Sequence, residues 1–175
     1  MYGLVLEGGG AKGAYHIGAL KAITELNIEI EAVAGTSIGA MNGAMFVQNK
    51  LDTAYDYWYN ISTSKVLDIE DKYLSEILNL SINQNNLSYF INKAREVFQQ
   101  GGLDNSFLKD ILQNNIDEEF FRNSDVDFAI ITLSLSDLKP LELFIEDIPQ
   151  GKLVEYIMAS SYLPFFVKEK MDGKI

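Results

Sequence analysis

The pentapeptide Gly35-Thr36-Ser37-Ile38-Gly39 restricts the fold more than any other stretch. It follows a short apolar run, Glu31-Ala32-Val33-Ala34, and precedes a small-residue run without charge, Ala40 to Val47. That order reads as strand, sharp turn, helix, with a serine at the apex. Small residues two positions before and two after the serine let the backbone turn tightly enough to lift the hydroxyl clear. The following helix would direct its partially positive N-terminus at whatever the oxygen attacks. Glycine and serine are also common in ordinary turns, so the motif alone fits a plain strand-to-helix connection equally well.

The flanking segments supply the rest of an α/β unit. Tyr2 to Leu6 is a short β-type run, expected as a central strand, and it ends in Gly8-Gly9-Gly10-Ala11-Lys12-Gly13. From Ala14 the pattern is helical, with Ala19, Ile23 and Leu26 on one face and Asn27 as the stop. Strand, glycine loop, helix, strand, elbow, helix predicts a parallel sheet covered on both faces. Leu51 to Ile61 is a further helix whose aromatic residues, Tyr55, Tyr57, Trp58 and Tyr59, are expected to pack in the core. Residues 62–104 read as a helical cap or insertion over the sheet edge, with its clearest helix at Leu87 to Gln99. Asn105 or Ser106 can cap a helix running to Ile116. Val126 to Leu135 is apolar enough for a strand buried on both faces, with Asp125 and Asp127 as its polar end. Ser136 to Pro140 makes a turn, Leu141 to Ile145 returns as a hairpin strand, and Gly151 to Ala159 is helical.

At 175 residues the chain is expected to be one domain with a full core. A formal net charge of −11 argues against nucleic acid and against electrostatic docking on anionic membranes. The absence of cysteine excludes disulfides, thiolate zinc sites and a cysteine nucleophile. No signal peptide is read at the N-terminus, because Glu7 and the glycines interrupt Leu4-Val5-Leu6 and no basic segment precedes it. The longest uncharged stretch, Ala32 to Gln48, is too short and too rich in small residues to span a bilayer. A cytoplasmic location is the expectation.

Gly8, Gly10 and Gly13 satisfy G-x-G-x-x-G, and three readings compete. A dinucleotide fingerprint needs an acidic residue at the end of the second strand, but Glu29 and Glu31 precede that strand and the serine turn occupies its end. A phosphate-binding P-loop needs Lys-Ser/Thr after the final glycine, which is missing. An oxyanion hole would use bare N–H groups at the carboxyl edge of one strand to face a nucleophile at the edge of its neighbour. That reading alone employs both glycine motifs. His16 is the chain's one histidine, so a Ser-His-Asp triad would rest on it entirely, and a carboxylate acting directly on the serine is more economical. Asp68, Glu70 and Asp71 fit a solvated loop better than a metal site. Tyr162, Leu163, Phe165 and Phe166 suit an acyl-chain contact and core packing equally.

The segments Gly8 to Gly13, Gly35 to Gly39 and Ala159-Ser160-Ser161-Tyr162-Leu163-Pro164 stand in the order and spacing of the patatin-like phospholipases. The chain resembles that family along its whole length, most weakly in the middle third. The resemblance implies a three-layer α/β/α fold with a mostly parallel central sheet, and a Ser-Asp dyad acyl hydrolase without metal or cofactor. Ser37 would be the nucleophile, with Gly35, Thr36, Ile38 and Gly39 forming its elbow. Amides of Gly8, Gly9, Gly10, Ala11, Lys12 and Gly13 would bind the oxyanion, and Ala159 to Pro164 would pack beside the site. The implied substrate is a lipid or other acyl ester, reached by peripheral contact with a membrane. The family's catalytic aspartate lies in Asp-Gly-Gly or Asp-Gly-Ala, whereas this chain has Asp172-Gly173-Lys174. Asp172 therefore reads as the turn before the dyad aspartate, making the 1–175 domain C-terminally incomplete, with Asp172 itself as the in-chain alternative. The rival readings are a catalytically inactive fragment and a nucleotide-binding module built on the Gly8–Gly13 loop.

Overall fold

A computed structural model describes residues 2–61, 88, 92, 106–134 and 136–161. The first half follows the expected alternation. Strand β1 (Tyr2–Leu6) leads through a single 3-10 turn (Gly10–Lys12) into α1 (Gly13–Glu25), then β2 (Ile30–Thr36), α2 (Ile38–Val47) and α3 (Leu51–Asn60). The expected cap at 62–104 lies outside the described residues, except that Ser88 and Asn92 are helical. The second half comprises α4 (Ser106–Asn115), α5 (Glu118–Arg122), β3 (Asp127–Ser134), β4 (Lys139–Phe144) and α6 (Leu153–Ser160).

The described strands form one sheet in the order β1-β2-β3-β4. β1, β2 and β3 are parallel, and β4 returns antiparallel to β3 as the anticipated hairpin, with Ser134 opposite Lys139. The sheet is thus mostly parallel, as expected for α/β/α layering. A central position for β1 requires a partner on each edge, and the described residues supply one. Among the described residues it pairs with β2 alone, and Tyr2 and Val5 are 65% and 81% exposed. An apolar run at the chain start signals a strand but carries no information about which neighbours it acquires.

α2 is the axis of the core. Gly39 to Met45 and Val47 are all buried, so this uncharged helix is enclosed on every side. It packs on β2 and reaches β1, β3, α1, α3 and α6. Leu6, Val33, Phe128 and Ile130 from the strands join Ile17, Leu20, Leu112, Leu153, Ile157 and Met158 from the helices in one cluster. Phe121 of α5 packs on Phe128 of β3 with ring centroids 4.9 Å apart. β3 is buried at Phe128, Ala129 and Ile130, while Leu133 near its end is 52% exposed.

Two helices turn differently from expectation. α1 buries Gly13, Ile17 and Leu20 rather than Ala19 and Leu26, the latter being 70% exposed just past the helix end. Helix neighbours rather than the sheet select that face, since α1 packs chiefly on α2 and α3. In α3 Ala54 is the buried residue, whereas Tyr55 and Tyr59 stack on each other at the surface with centroids 6.1 Å apart. Lys21 lies 4.9 Å above the Tyr55 ring and 3.0 Å from Asp52, joining α1 to α3 across solvent. Tyr55 and Tyr59 thus lie on a helix–helix seam, whereas Trp58 packs against the core as expected.

Polar contacts fix the second half against the first. Gln48, 8% exposed after α2, accepts from the Asp117 N–H at 2.8 Å. Lys50 caps the Asn115 carbonyl at the end of α4, and the Asn115 amide donates to the Tyr57 hydroxyl at 3.0 Å. The start of α6 is held by Glu118. Its carboxylate accepts from the Leu153 N–H at 3.0 Å, the Gly151 N–H at 2.8 Å, and Arg122 at 2.6 and 2.8 Å. Arg122 also donates to the carbonyls of Ile145 and Ile148, at 3.1 and 2.8 Å. Burial pushes the Glu118 carboxyl upward, but the Leu153 N–H, Arg122 and the Gly151 N–H outweigh it and hold the group below its ordinary value.

A carboxyl with a lower pKa in the folded than in the unfolded state contributes stability above its unfolded value and loses it as pH falls through the folded value. Glu118→Gln is therefore expected to cost about 1.5–3 kcal/mol at pH 7, the range for hydrogen bonds to a charged group. The gap to wild type should narrow below about pH 4. Urea unfolding of both proteins at pH 7 and pH 3 measures it.

Candidate active site

The two glycine motifs meet at the carboxyl ends of β1 and β2. Leu6 pairs with Gly35, so the loop after β1 and the turn after β2 leave the sheet side by side. A Cβ added to Gly8 would lie 3.3 Å from the Ser37 Cβ. Glu29 and Glu31 fall at the opposite end of the sheet, where Ile30 pairs with Tyr2. Carboxylates there are remote from any ligand held by the glycine loop.

Ser37 occupies a backbone conformation that side chains rarely adopt, φ 54° and ψ −125°. Such a conformation costs about 1–3 kcal/mol and persists only where the surroundings enforce it. Three features enforce it. Gly35 and Gly39 admit a close approach: a Cβ on Gly39 would stand 2.2 Å from the Leu6 carbonyl oxygen, and one on Gly35 would stand 2.5 Å from the Ala40 backbone. The Ser37 carbonyl accepts from the N–H groups of Ala40 and Met41 at 2.9 and 3.2 Å, committing the chain to α2 at once. The Ser37 N–H donates to the Ser160 hydroxyl at 2.7 Å, and that hydroxyl donates to the Ile131 carbonyl at 2.6 Å.

In the glycine loop, Gly10 has φ 55° and the Lys12 N–H closes back on the Gly9 carbonyl at 3.2 Å. Among the described residues the N–H groups of Gly9 and Gly10 make no hydrogen bond. Gly9, Gly10, Ala11 and Lys12 are exposed, while Gly13 is buried where α1 begins. Beneath the loop lies a polar hub. Asn42, 3% exposed on α2, donates to the Gly13 carbonyl at 2.9 Å and accepts from the Trp58 indole N–H at 3.0 Å. Its amide nitrogen lies 3.5 Å from His16 Nδ1. His16 is therefore directed to Asn42, and its half-buried ring serves the joint of α1, α2 and α3.

The elbow and the loop had explicit sequence signals, and the structure brings them together. Ser160 and Asn42 did not stand out as individuals. Ser160 lay within the Ala159–Pro164 segment, but nothing in that segment indicated a bond to residue 37. Asn42 is a lone amide in an otherwise apolar helix, and that oddity was available. Asp172, the lip residues Tyr162, Leu163, Phe165 and Phe166, and Asp68, Glu70 and Asp71 lie outside the described residues. Among the described residues no group of three or more His, Asp or Glu could hold a metal ion, and no helix is long and apolar enough to cross a membrane.

Parallel strands, a glycine loop and a strained serine turn at adjacent strand ends define an α/β protein with an elbow-type site. The patatin-like phospholipase family model matches residues 4–175, and the chain belongs to that family. It is 40% identical over 74 residues to the patatin-like phospholipase domain-containing protein ZK370.4 of Caenorhabditis elegans, covering 38% of this chain and 6% of that protein. It is 58% identical over 48 residues to neuropathy target esterase sws of Drosophila persimilis, covering 27% of this chain and 3% of that protein. The chain thus spans only a small part of these relatives. VipD from Legionella pneumophila shares the fold at a TM-score of 0.59 and 16% identity, over 98% of this chain and 44% of VipD.

The close approach at Gly39 gives a sharp contrast. Gly39→Ala forces a methyl group into the Leu6 carbonyl and is expected to destabilise by at least about 2 kcal/mol. Gly18→Ala, on α1 with open space around it, should stabilise by roughly 0.5–1 kcal/mol. Thermal unfolding of the two variants compares them directly. Asn42→Leu would strand the Trp58 N–H and remove the second bond to the Gly13 carbonyl, and should cost about 1–3 kcal/mol by the same measurement.

Proposed function

We propose that the chain is the catalytic part of a serine-dependent lipid acyl hydrolase cleaving carboxylic esters through an acyl-enzyme on Ser37. The observation that carries the reading is the strained Ser37 turn directly beside a glycine loop whose Gly9 and Gly10 N–H groups are unpartnered among the described residues. Strain of this kind concentrates at functional positions, and exposed amides close to a nucleophile are the donor type that a tetrahedral oxyanion requires. The Ser37 N–H is already committed to Ser160, so the donors must come from elsewhere, and the Gly8–Gly13 loop is adjacent. Family membership supports an ester of a lipid as substrate.

In this reading Ser37 Oγ attacks the ester carbonyl carbon while a carboxylate takes its proton. The carbonyl π pair moves to oxygen, where loop amides hold the negative charge. Collapse re-forms the carbonyl and expels the alcohol, which leaves with the proton from the carboxyl group. Water then repeats the sequence on the acyl-serine and frees the fatty acid. Asp172 is the in-chain candidate for the carboxylate. His16 is a poorer candidate for the base because its Nδ1 faces Asn42. The net charge of −11 favours neutral or zwitterionic lipid over an anionic bilayer.

Treatment of the full-length protein with a fluorophosphonate, read by intact mass, tests the proposal. One adduct is expected on the wild type and none on Ser37→Ala. An unlabelled wild type, or a Ser37→Ala variant that still labels, overturns it.

A further inference from the structure

We infer that Ser160 is a positioning residue for the nucleophile, a role that rests on the acyl-hydrolase reading of Ser37. Its hydroxyl bonds both the elbow and the strand beside it. It accepts from the Ser37 N–H at 2.7 Å and donates to the Ile131 carbonyl at 2.6 Å. Ile131 pairs with Thr36 in the sheet, so the hydroxyl closes a link from the turn, through α6, to the strand next to it. A hydroxyl suits this place because it can accept and donate at once, whereas an amine-type donor or a methyl group cannot.

The bond acts where the backbone is strained. At φ 54° and ψ −125° the Ser37 peptide would relax if its N–H were free to turn toward water, and the side-chain oxygen would move with it. A displacement of about 1 Å in a reacting group can cost on the order of 100-fold in rate. The bond also removes the nucleophile's own N–H from the set of possible oxyanion donors, so that other amides, those of the glycine loop among them, take that task. α6 is in turn held at its start by Glu118, which accepts from the Leu153 N–H. Ser160 at the far end of α6 is thus fixed from both directions.

The experiment compares wild type, Ser160→Ala and Ser160→Thr. It measures the rate of fluorophosphonate labelling against probe concentration and the exchange of the Ser37 amide proton by 15N–1H NMR. Ser160→Ala should lower the maximal labelling rate about 10- to 100-fold while leaving the half-saturating concentration unchanged, and should speed exchange of the Ser37 amide. Ser160→Thr, which keeps the hydroxyl, should restore both. A Ser160→Ala variant that labels at the wild-type rate, or a loss that threonine fails to restore, overturns the positioning role and leaves the acyl-hydrolase reading standing. A Ser37 amide equally protected in wild type and Ser160→Ala also overturns it. Absence of labelling in the wild type overturns the acyl-hydrolase reading and the positioning role with it.

Discussion

The first turn of α2 lies against the carbonyl at the end of β1, and the rest of the structure depends on that approach. A side chain at residue 39 would stand 2.2 Å from the Leu6 oxygen, so helix and strand come this close only because residue 39 has none. The approach brings the β1 loop and the β2 turn to one place. It also sinks α2 so deeply that every residue from Gly39 to Met45 is buried. A helix enclosed on all sides must be uncharged and built from small residues and methionine, and the run Ala40-Met41-Asn42-Gly43-Ala44-Met45 has that composition. The sequence of α2 is thus a consequence of the turn that precedes it.

Within this apolar setting a few polar groups set orientation. Apolar packing on α2 would tolerate rotations of α1 and α3, since methyl groups have no preferred direction. Asn42 does not tolerate them. Its one amide must reach the Gly13 carbonyl and the Trp58 indole together, and a buried amide that missed either would cost more than the packing could return. Glu118 and Arg122 perform the equivalent task for α5, the segment 145–148 and the start of α6. Gln48 and Lys50 join the two halves. The core supplies cohesion, and these side chains select one arrangement of it.

Much of this was legible in the residues. Short apolar runs located β1, β2, β3 and the hairpin, and glycine spacing located the loop and the elbow. What the sequence did not reveal were relations between distant elements. The position of β1 in the sheet depends on partners, and nothing between Tyr2 and Leu6 encodes them. The buried face of α1 is chosen by α2 and α3, and its apolar residues occur on more than one side, so the sequence alone does not single out Ile17 and Leu20. Tyr55 and Tyr59 lie at the surface for a related reason. Tyrosine fits both a core and a surface seam, and Lys21 and Asp52 from the two helices settle the matter. At the site, Ser37 and Gly8 to Gly13 announced themselves by spacing. The bond from Ser37 to Ser160 joins positions 123 residues apart, and serine is too common for such a pairing to be read from order alone.

That separation has a consequence for the order in which the chain matures. β1, α1, β2 and α2 are contiguous, so loop, turn and core helix can assemble from residues 2–47 through short loop closures. The hydroxyl that locks the turn arrives only with residue 160, after β3 has been laid beside β2. A growing chain therefore holds its glycine loop and serine long before the serine is fixed in its strained geometry. Docking of α6 beside β3 supplies the acceptor for the Ser37 N–H, so this restraint on the turn comes from the later part of the fold.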